Sequence, residues 1–247
     1  RRKLLAAMGG GGFGLAGGVF SNIRVASAQQ LSGAPPEVDR LSVRVVTDSY
    51  HHQFEPSGKF GEVTVQRYLR PPSPDLPRTL QNEWGLSMHV ESARGTETRQ
   101  VLIDFGFTGD TLNGNLGLLG IAPARLDAML LTHGHYDHFG GMVGFLSAHR
   151  DKLKRGIPFY LGGEECFCSR ETGPASAPSN FGALDRKAIA DAGVRVMFAE
   201  RPSLLADHGF TTGSIPLVSF EKPAQPSRMK IGVQASGVGC APDGLPA

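Results

Sequence analysis

Cysteine is scarce in this chain: 247 residues carry three, Cys166, Cys168 and Cys240. That excludes a disulfide-stapled scaffold, and the Cys-x-Cys pair is too lean for a structural zinc site, which needs four ligands. In an oxidising compartment Cys166 or Cys168 is expected to bridge to Cys240, with plain buried thiols as the alternative. Acidic residues are absent before Glu37, and no methionine precedes Arg1, so the first residues of the natural chain are expected to be missing. No Lys/Arg stripe with interleaved aromatics occurs, which argues against a nucleic-acid partner. No internal repeat is visible. Beyond residue 138 the only histidines are His149 and His208.

A clean membrane span is missing too. Arg1-Arg2-Lys3-Leu4-Leu5 leads into an apolar stretch, but glycines at 9–12, 14, 17 and 18 make it a poor helix for a bilayer. Paired arginines, a weakly hydrophobic middle and Val25-Ala26-Ser27-Ala28 read instead as a twin-arginine signal peptide over 1–28, cleaved after Ala28. The expected consequences are export to the periplasm and no stable membrane anchor after cleavage. A linker over 29–40 and a catalytic domain over 41–247 follow. Losing Arg1, Arg2, Lys3 and Arg24, which no acid accompanies, turns the formal charge of +2 into −2. The basic balance therefore belongs to the leader.

From Leu41 the chain alternates between strand and helix patterns. Leu41–Thr47, Gly85–Val90, Arg99–Asp104, Ile157–Leu161 and Val194–Phe198 read as strands. Thr111–Leu119, Met142–Leu153 and Leu184–Ala192 have helical spacing, the last stopped by Gly193. Pro71–Pro77 reads as an extended loop. Periodicity alone says α/β.

One segment concentrates chemistry. Thr132-His133-Gly134-His135-Tyr136-Asp137-His138-Phe139-Gly140-Gly141 follows the apolar run Ala128–Leu131. Imidazole and carboxylate are the usual ligands of zinc and similar ions. His133 and His135, two apart at an extended strand end, project the same way and suit one ion. Asp137 and His138, after a turn, suit a second, in the manner of paired sites whose ions lie about 3.5–4 Å apart.

This His-x-His-x-Asp-His pattern resembles the metallo-β-lactamase superfamily at every position. The resemblance implies a four-layer αββα sandwich and two divalent metal ions, zinc foremost, with iron or manganese as substitutes. It also implies that Asp104, in Leu102-Ile103-Asp104-Phe105-Gly106, lies behind the ligands and orients an imidazole. Glu83-Trp84-Gly85-Leu86-Ser87, the histidine motif and Thr212-Gly213-Ser214-Ile215-Pro216, in this order, are similar to the branch of the dihydropterin-methyl-ribofuranosylaminobenzene phosphate synthases. The likeness spans about Leu41–Phe220.

The implied function is a metal-dependent hydrolase in which a metal-bound hydroxide attacks a small ester, lactone or phosphoester, with Asp137 as a metal ligand and proton acceptor. The alternatives are an iron-dependent oxidoreductase or sulfur dioxygenase of the same fold, or a non-catalytic truncated relic. The superfamily needs further histidines than the motif supplies. His208 is a weak candidate for the third ligand, and His149, beside Arg150, reads as a surface residue. The chain is therefore expected to be cut before its last ligands. Glu164, Glu165 and Arg170 read as surface charge, and His51 and His52 as a solvated loop near the site.

Overall fold

The computed structural model describes residues 25–50, 56–67, 79–174, 176–177, 179–216, 218, 220 and 230–231. His51, His52, Cys240, Pro71–Pro77 and residues 1–24 of the expected leader lie outside these residues. The N-terminal part supplies β1 (Val25–Ser27), β2 (Arg40–Thr47), β3 (Gly58–Phe60), β4 (Val63–Val65), β5 (Ser87–Arg94) and β6 (Glu97–Ile103). Then come α1 (Gly109–Leu118), β7 (Ala128–Leu130), α2 (Tyr136–Phe139), α3 (Met142–His149) and β8 (Pro158–Leu161). The remainder holds β9 (Arg170–Thr172), β10 (Ser179–Asn180), α4 (Arg186–Asp191), β11 (Arg195–Phe198), β12 (Ser203–Leu205), β13 (Gly209–Thr211) and β14 (Lys230–Ile231).

Seven strands form one mixed sheet in the order β1-β11-β8-β7-β6-β5-β2. The hairpin β5–β6 pairs antiparallel, Arg94 opposite Glu97, with Gly95 at φ +57° in the tight turn. From β6 through β7, β8 and β11 to β1 the pairing is parallel. The period-2 alternation sorts the two faces. Leu102, Met129, Phe159 and Val196 join the main core, where Leu112 and Leu116 of α1, Phe145 and Leu146 of α3 and Ile189 of α4 cover them. Their neighbours Val101, Ala128, Tyr160 and Met197 face the other way, into a smaller cluster with Leu205 of β12. Farther along that second face, Leu41, Val43 and Val45 remain half-exposed or more.

The chain is thus a mixed α/β structure with helices on one face of a large sheet. Among the described residues the other sheets have only two or three strands. The face that the second half of a four-layer sandwich would cover is the one where those three side chains are open.

Local chemistry fixes the helix ends. Thr108 caps α1, its hydroxyl accepting from the Thr111 amide at 3.3 Å, and Glu83 in turn accepts from the Phe107 and Thr108 amides at 2.8 and 2.9 Å. Asp185 caps α4 by accepting from the Ala188 amide at 2.9 Å.

Two contacts at the edges add to the sequence reading. Val25–Ser27, inside the expected leader, pairs in parallel with Val196–Phe198. The Ala28 amide then donates to the Phe198 carbonyl, and the Leu204 amide to the Gln29 carbonyl, each at 2.8 Å. His149 is not a free surface group: it lies against Phe145, ring centroids 5.2 Å apart, and its Nε2 is 3.1 Å from Asn113 Oδ1 of α1. The helical turn that exposes Arg150 carries its neighbour into the α1–α3 contact.

Candidate metal centre

The parallel strand β7 ends where the chemistry begins. Past Leu130 the chain runs out of the sheet at its carboxyl edge, the usual position of ligand sites in α/β folds. The Asp104 amide donates to the Leu130 carbonyl at 2.9 Å, and the Phe105 amide to the His138 carbonyl at 2.7 Å. The end of β6 and the motif loop are therefore stitched together. Asp104 sits at φ +57°, a conformation in which aspartate is among the few tolerated side chains, and it is 0% exposed.

Its carboxylate is fully engaged. Oδ1 accepts from the Thr132 amide at 2.8 Å, and Oδ2 from the Thr132 hydroxyl at 2.8 Å and from His138 Nδ1 at 2.7 Å. A hydroxyl has one proton. Thr132 gives it to Asp104, so the 3.0 Å contact between Thr132 Oγ1 and His133 Nδ1 is made by an Nδ1–H of His133. Both His133 and His138 are thereby held in the tautomer that leaves the Nε2 lone pair free, by assignment from the hydrogen-bond network.

The three rings share one cluster. His133 stands between the others, its centroid 4.2 Å from His138 and 4.5 Å from His135. Asp137, at the start of α2, has Oδ2 3.7 Å from His138 Nε2. Burial, then the neighbouring His138 and His135, pushes the His133 pKa down to about 4. Burial, then Arg170, lowers that of His135. Burial also works against protonation of His138, but the hydrogen bond and charge of Asp104 outweigh it and raise its pKa.

Imidazoles that present Nε2 beside a carboxylate are the donor types that borderline divalent ions take, and His133 is held neutral for it by its lowered pKa. In that sense the residues fit a metal. As placed, no group of three or more His, Cys, Asp or Glu side chains among the described residues stands in metal-holding geometry; the rings pack on one another instead.

His133, His135, Asp137 and His138 are brought together. His208 is not among them. It is buried beneath the hairpin end of the sheet, Nδ1 3.1 Å from Ser92 Oγ and Nε2 3.6 Å from Glu97 Oε2. Ser92 lies five residues along β5 from the Ser87 end that adjoins the motif, roughly 16 Å at strand rise. Cys168 is disulfide-bonded, and Cys166 is a buried free thiol whose pKa burial and Glu165 push up to about 11.

Arg170 departs furthest from expectation. It is 5% exposed, and Nη1 donates to the carbonyls of Glu165 and Cys168 at 3.0 and 2.9 Å. Glu164 is half-buried in an ion pair with Arg186. Nothing in the sequence marks Arg170 for burial; its neighbours are as charged as a solvated segment.

Beside the motif opens a cavity of about 700 Å³, lined by Thr132, Tyr160, Glu165, Glu200, Arg201 and Ser214 among others. It lies at the carboxyl ends of β7, β8 and β11. On the motif's other flank Trp84 is 67% exposed and stacks on Phe107, centroids 6.4 Å apart.

Residues 90–159 match the family model described as the metallo-beta-lactamase superfamily, whose members typically bind divalent metals such as zinc. Over 79 residues the chain is 28% identical to the 7,8-dihydropterin-6-methyl-4-(beta-D-ribofuranosyl)-aminobenzene-5'-phosphate synthase of Methanocaldococcus jannaschii. That match covers 32% of this chain and 26% of the relative, so the chain spans about a quarter of that protein's length. A B3 metallo-beta-lactamase with an active-site glutamic acid superposes on 50% of this chain and 44% of its own at TM-score 0.31 and 21% identity. A subclass B3 metallo-beta-lactamase from a soil metagenome library covers 48% and 42% at TM-score 0.28 and 18% identity. Superpositions this loose carry no argument about the site.

Proposed function

We propose that this chain, placed in the metallo-beta-lactamase superfamily by residues 90–159, is a metal-dependent hydrolase of a small ester, lactone or phosphoester. One observation carries the reading: through Thr132 and directly, Asp104 fixes the Nδ1–H tautomers of His133 and His138 and frees both Nε2 atoms. A buried carboxylate holding imidazoles this way is the usual support of a metal ligand.

His133 and His135 are the proposed ligands of one ion, with Asp137 and His138 toward a second. Zinc suits this nitrogen and oxygen set best, and iron or manganese can take it. A divalent ion bound there supplies acidified water and polarisation of the scissile carbonyl or phosphoryl. Asp137 is the group placed to take up a proton, its carboxylate on the open side of His138 and its carbonyl fixed by the Leu86 amide at 3.2 Å. The adjoining cavity, apolar along Leu130, Leu131 and Ala199 and polar at Thr132 and Ser214, is the proposed seat of the substrate.

We further propose that the protein works in an oxidising compartment reached by the twin-arginine route; the disulfide at Cys168 supports this. The test is elemental analysis of the purified full-length protein beside its hydrolysis of generic esters and phosphodiesters. Bound zinc with turnover is the expected result. Bound iron with oxygen consumption moves the reading to redox chemistry, and absence of any transition metal defeats it.

A further inference from the structure

Arg170 is a buried cation that touches no anion, although the charge of Glu165 acts on it from nearby. Among the described residues no ion pair includes it. Of the acids nearest in sequence, Glu164 is engaged by Arg186 and Glu171 by Asn180 at 3.1 Å, while Glu165 meets the guanidinium through its backbone carbonyl and turns Oε1 to Cys166 Sγ at 3.8 Å. Its hydrogen bonds to the Glu165 and Cys168 carbonyls both leave from Nη1. The opposite edge of the guanidinium, Nε with Nη2, is the edge that grips an oxyanion with two parallel bonds. Nε is enclosed and has no partner. Among the described residues Nη2 has no hydrogen-bond partner either.

That edge faces the motif. A Cβ built on Gly134 would fall 2.7 Å from Nη2 and 3.3 Å from Cζ, so the glycine between His133 and His135 leaves the space into which the guanidinium reaches. Two independent facts therefore meet at one point: an unpaired edge of a side chain 95% buried by residue, and a backbone that a methyl group would close. Leaving a charged donor desolvated and unpaired costs several kcal/mol in general, which a structural bolt using Nη1 alone does not explain.

We propose that Arg170 receives an oxyanion of the substrate, a carboxylate or phosphate group, beside the His133-Gly134-His135 turn. The substrate class is then an anionic ester, lactone or phosphoester, its charged group on Nη2 and its scissile bond toward the histidines. This rests on the hydrolase reading for the reaction, but not for the binding.

The test is isothermal titration of the full-length, metal-loaded protein with inorganic phosphate and, separately, with acetate, with metal content and circular dichroism measured on each sample. The wild type is expected to bind one of the two, and Arg170→Lys, which keeps the charge and loses the fork, to bind it at least tenfold more weakly. Because Arg170→Met can fail to fold, Gly134→Ala serves as the second variant: it keeps the arginine and crowds Nη2, and an equal loss is expected. Phosphate preferred over acetate assigns a phosphoryl group, the reverse a carboxylate. Folded, metal-replete Arg170→Lys that binds as the wild type does overturns the proposal, as does a wild type that binds neither anion. Arginine-dependent binding in a protein that holds no metal would leave this inference standing and remove the hydrolase.

Discussion

Asp104 Oδ2 lies 2.7 Å from His138 Nδ1, and the same oxygen holds the hydroxyl that fixes His133. One buried carboxylate therefore sets two imidazole tautomers. Asp104→Asn keeps the shape and tolerates φ +57°, but replaces an acceptor by an amide that faces donors. Metal affinity, read by competition with a chelator, should fall by about 10–100-fold. Unchanged affinity would show that the hydrogen bonds to Asp104 do not prepare the ligands.

Acid should destabilise the metal-free protein. His133 is neutral in the fold until about pH 4, and His135 is also shifted down, whereas an unfolded imidazole protonates near 6.5. The unfolded state then binds more protons between these values, so this contribution is present above 6.5 and is lost as pH falls toward 4. His138 opposes it, since its raised pKa gives stability present below 6.5 and lost as pH rises through the folded value. With two groups against one, urea midpoints in the presence of chelator should drop between pH 6.5 and 4. A midpoint that rises there would mean that the cluster is charged.

The same substitution should act with opposite sign at two glycines. Gly85 has φ +144°, and a Cβ there collides with the Asp137 carbonyl oxygen. Gly85→Ala should cost about 2 kcal/mol or more and loosen the motif. Gly114, inside α1, has open space around it, and Gly114→Ala should stabilise by about 0.5–1 kcal/mol. Denaturant curves of both variants check the pair; a stable Gly85→Ala would mean that the Gly85–Asp137 contact is slack.

Cleavage after Ala28 would remove β1. Ala28 is 6% exposed and packs with Met197 and Ala199. A chain starting at Gln29 should melt several degrees below one starting at Val25, since a loss of about 1 kcal/mol lowers Tm by roughly 2–4 °C at this size. Equal melting temperatures would show that the strand contributes nothing to the domain.

What was legible in the sequence was contiguous. The motif follows a buried strand within one short segment, and α1, α3 and α4 carry their own spacing, caps and stops. Asp104 came from the likeness to a known family, and the structure places its Oδ2 2.7 Å from His138 Nδ1. The rest depended on distance in the chain. The burial of Arg170 is created by Gly134, 36 positions away, and by carbonyls that no residue type encodes. His208 is a histidine of the right kind carried by β12–β13 to the far end of β5. Val25–Ala28 fits a cleavage signal and an edge strand equally, because small and β-branched residues serve both.

Metal content of the full-length protein tests the account most directly, measured by elemental analysis on the wild type, His133→Ala, Asp137→Ala and His149→Ala. Up to two transition-metal ions per chain are expected in the wild type and in His149→Ala, whose ring contacts Asn113 and Phe145 rather than the motif. His133→Ala should lose one ion, and Asp137→Ala should keep part of its metal while losing turnover. A wild type without metal, or a His149→Ala variant depleted as deeply as His133→Ala, would contradict it.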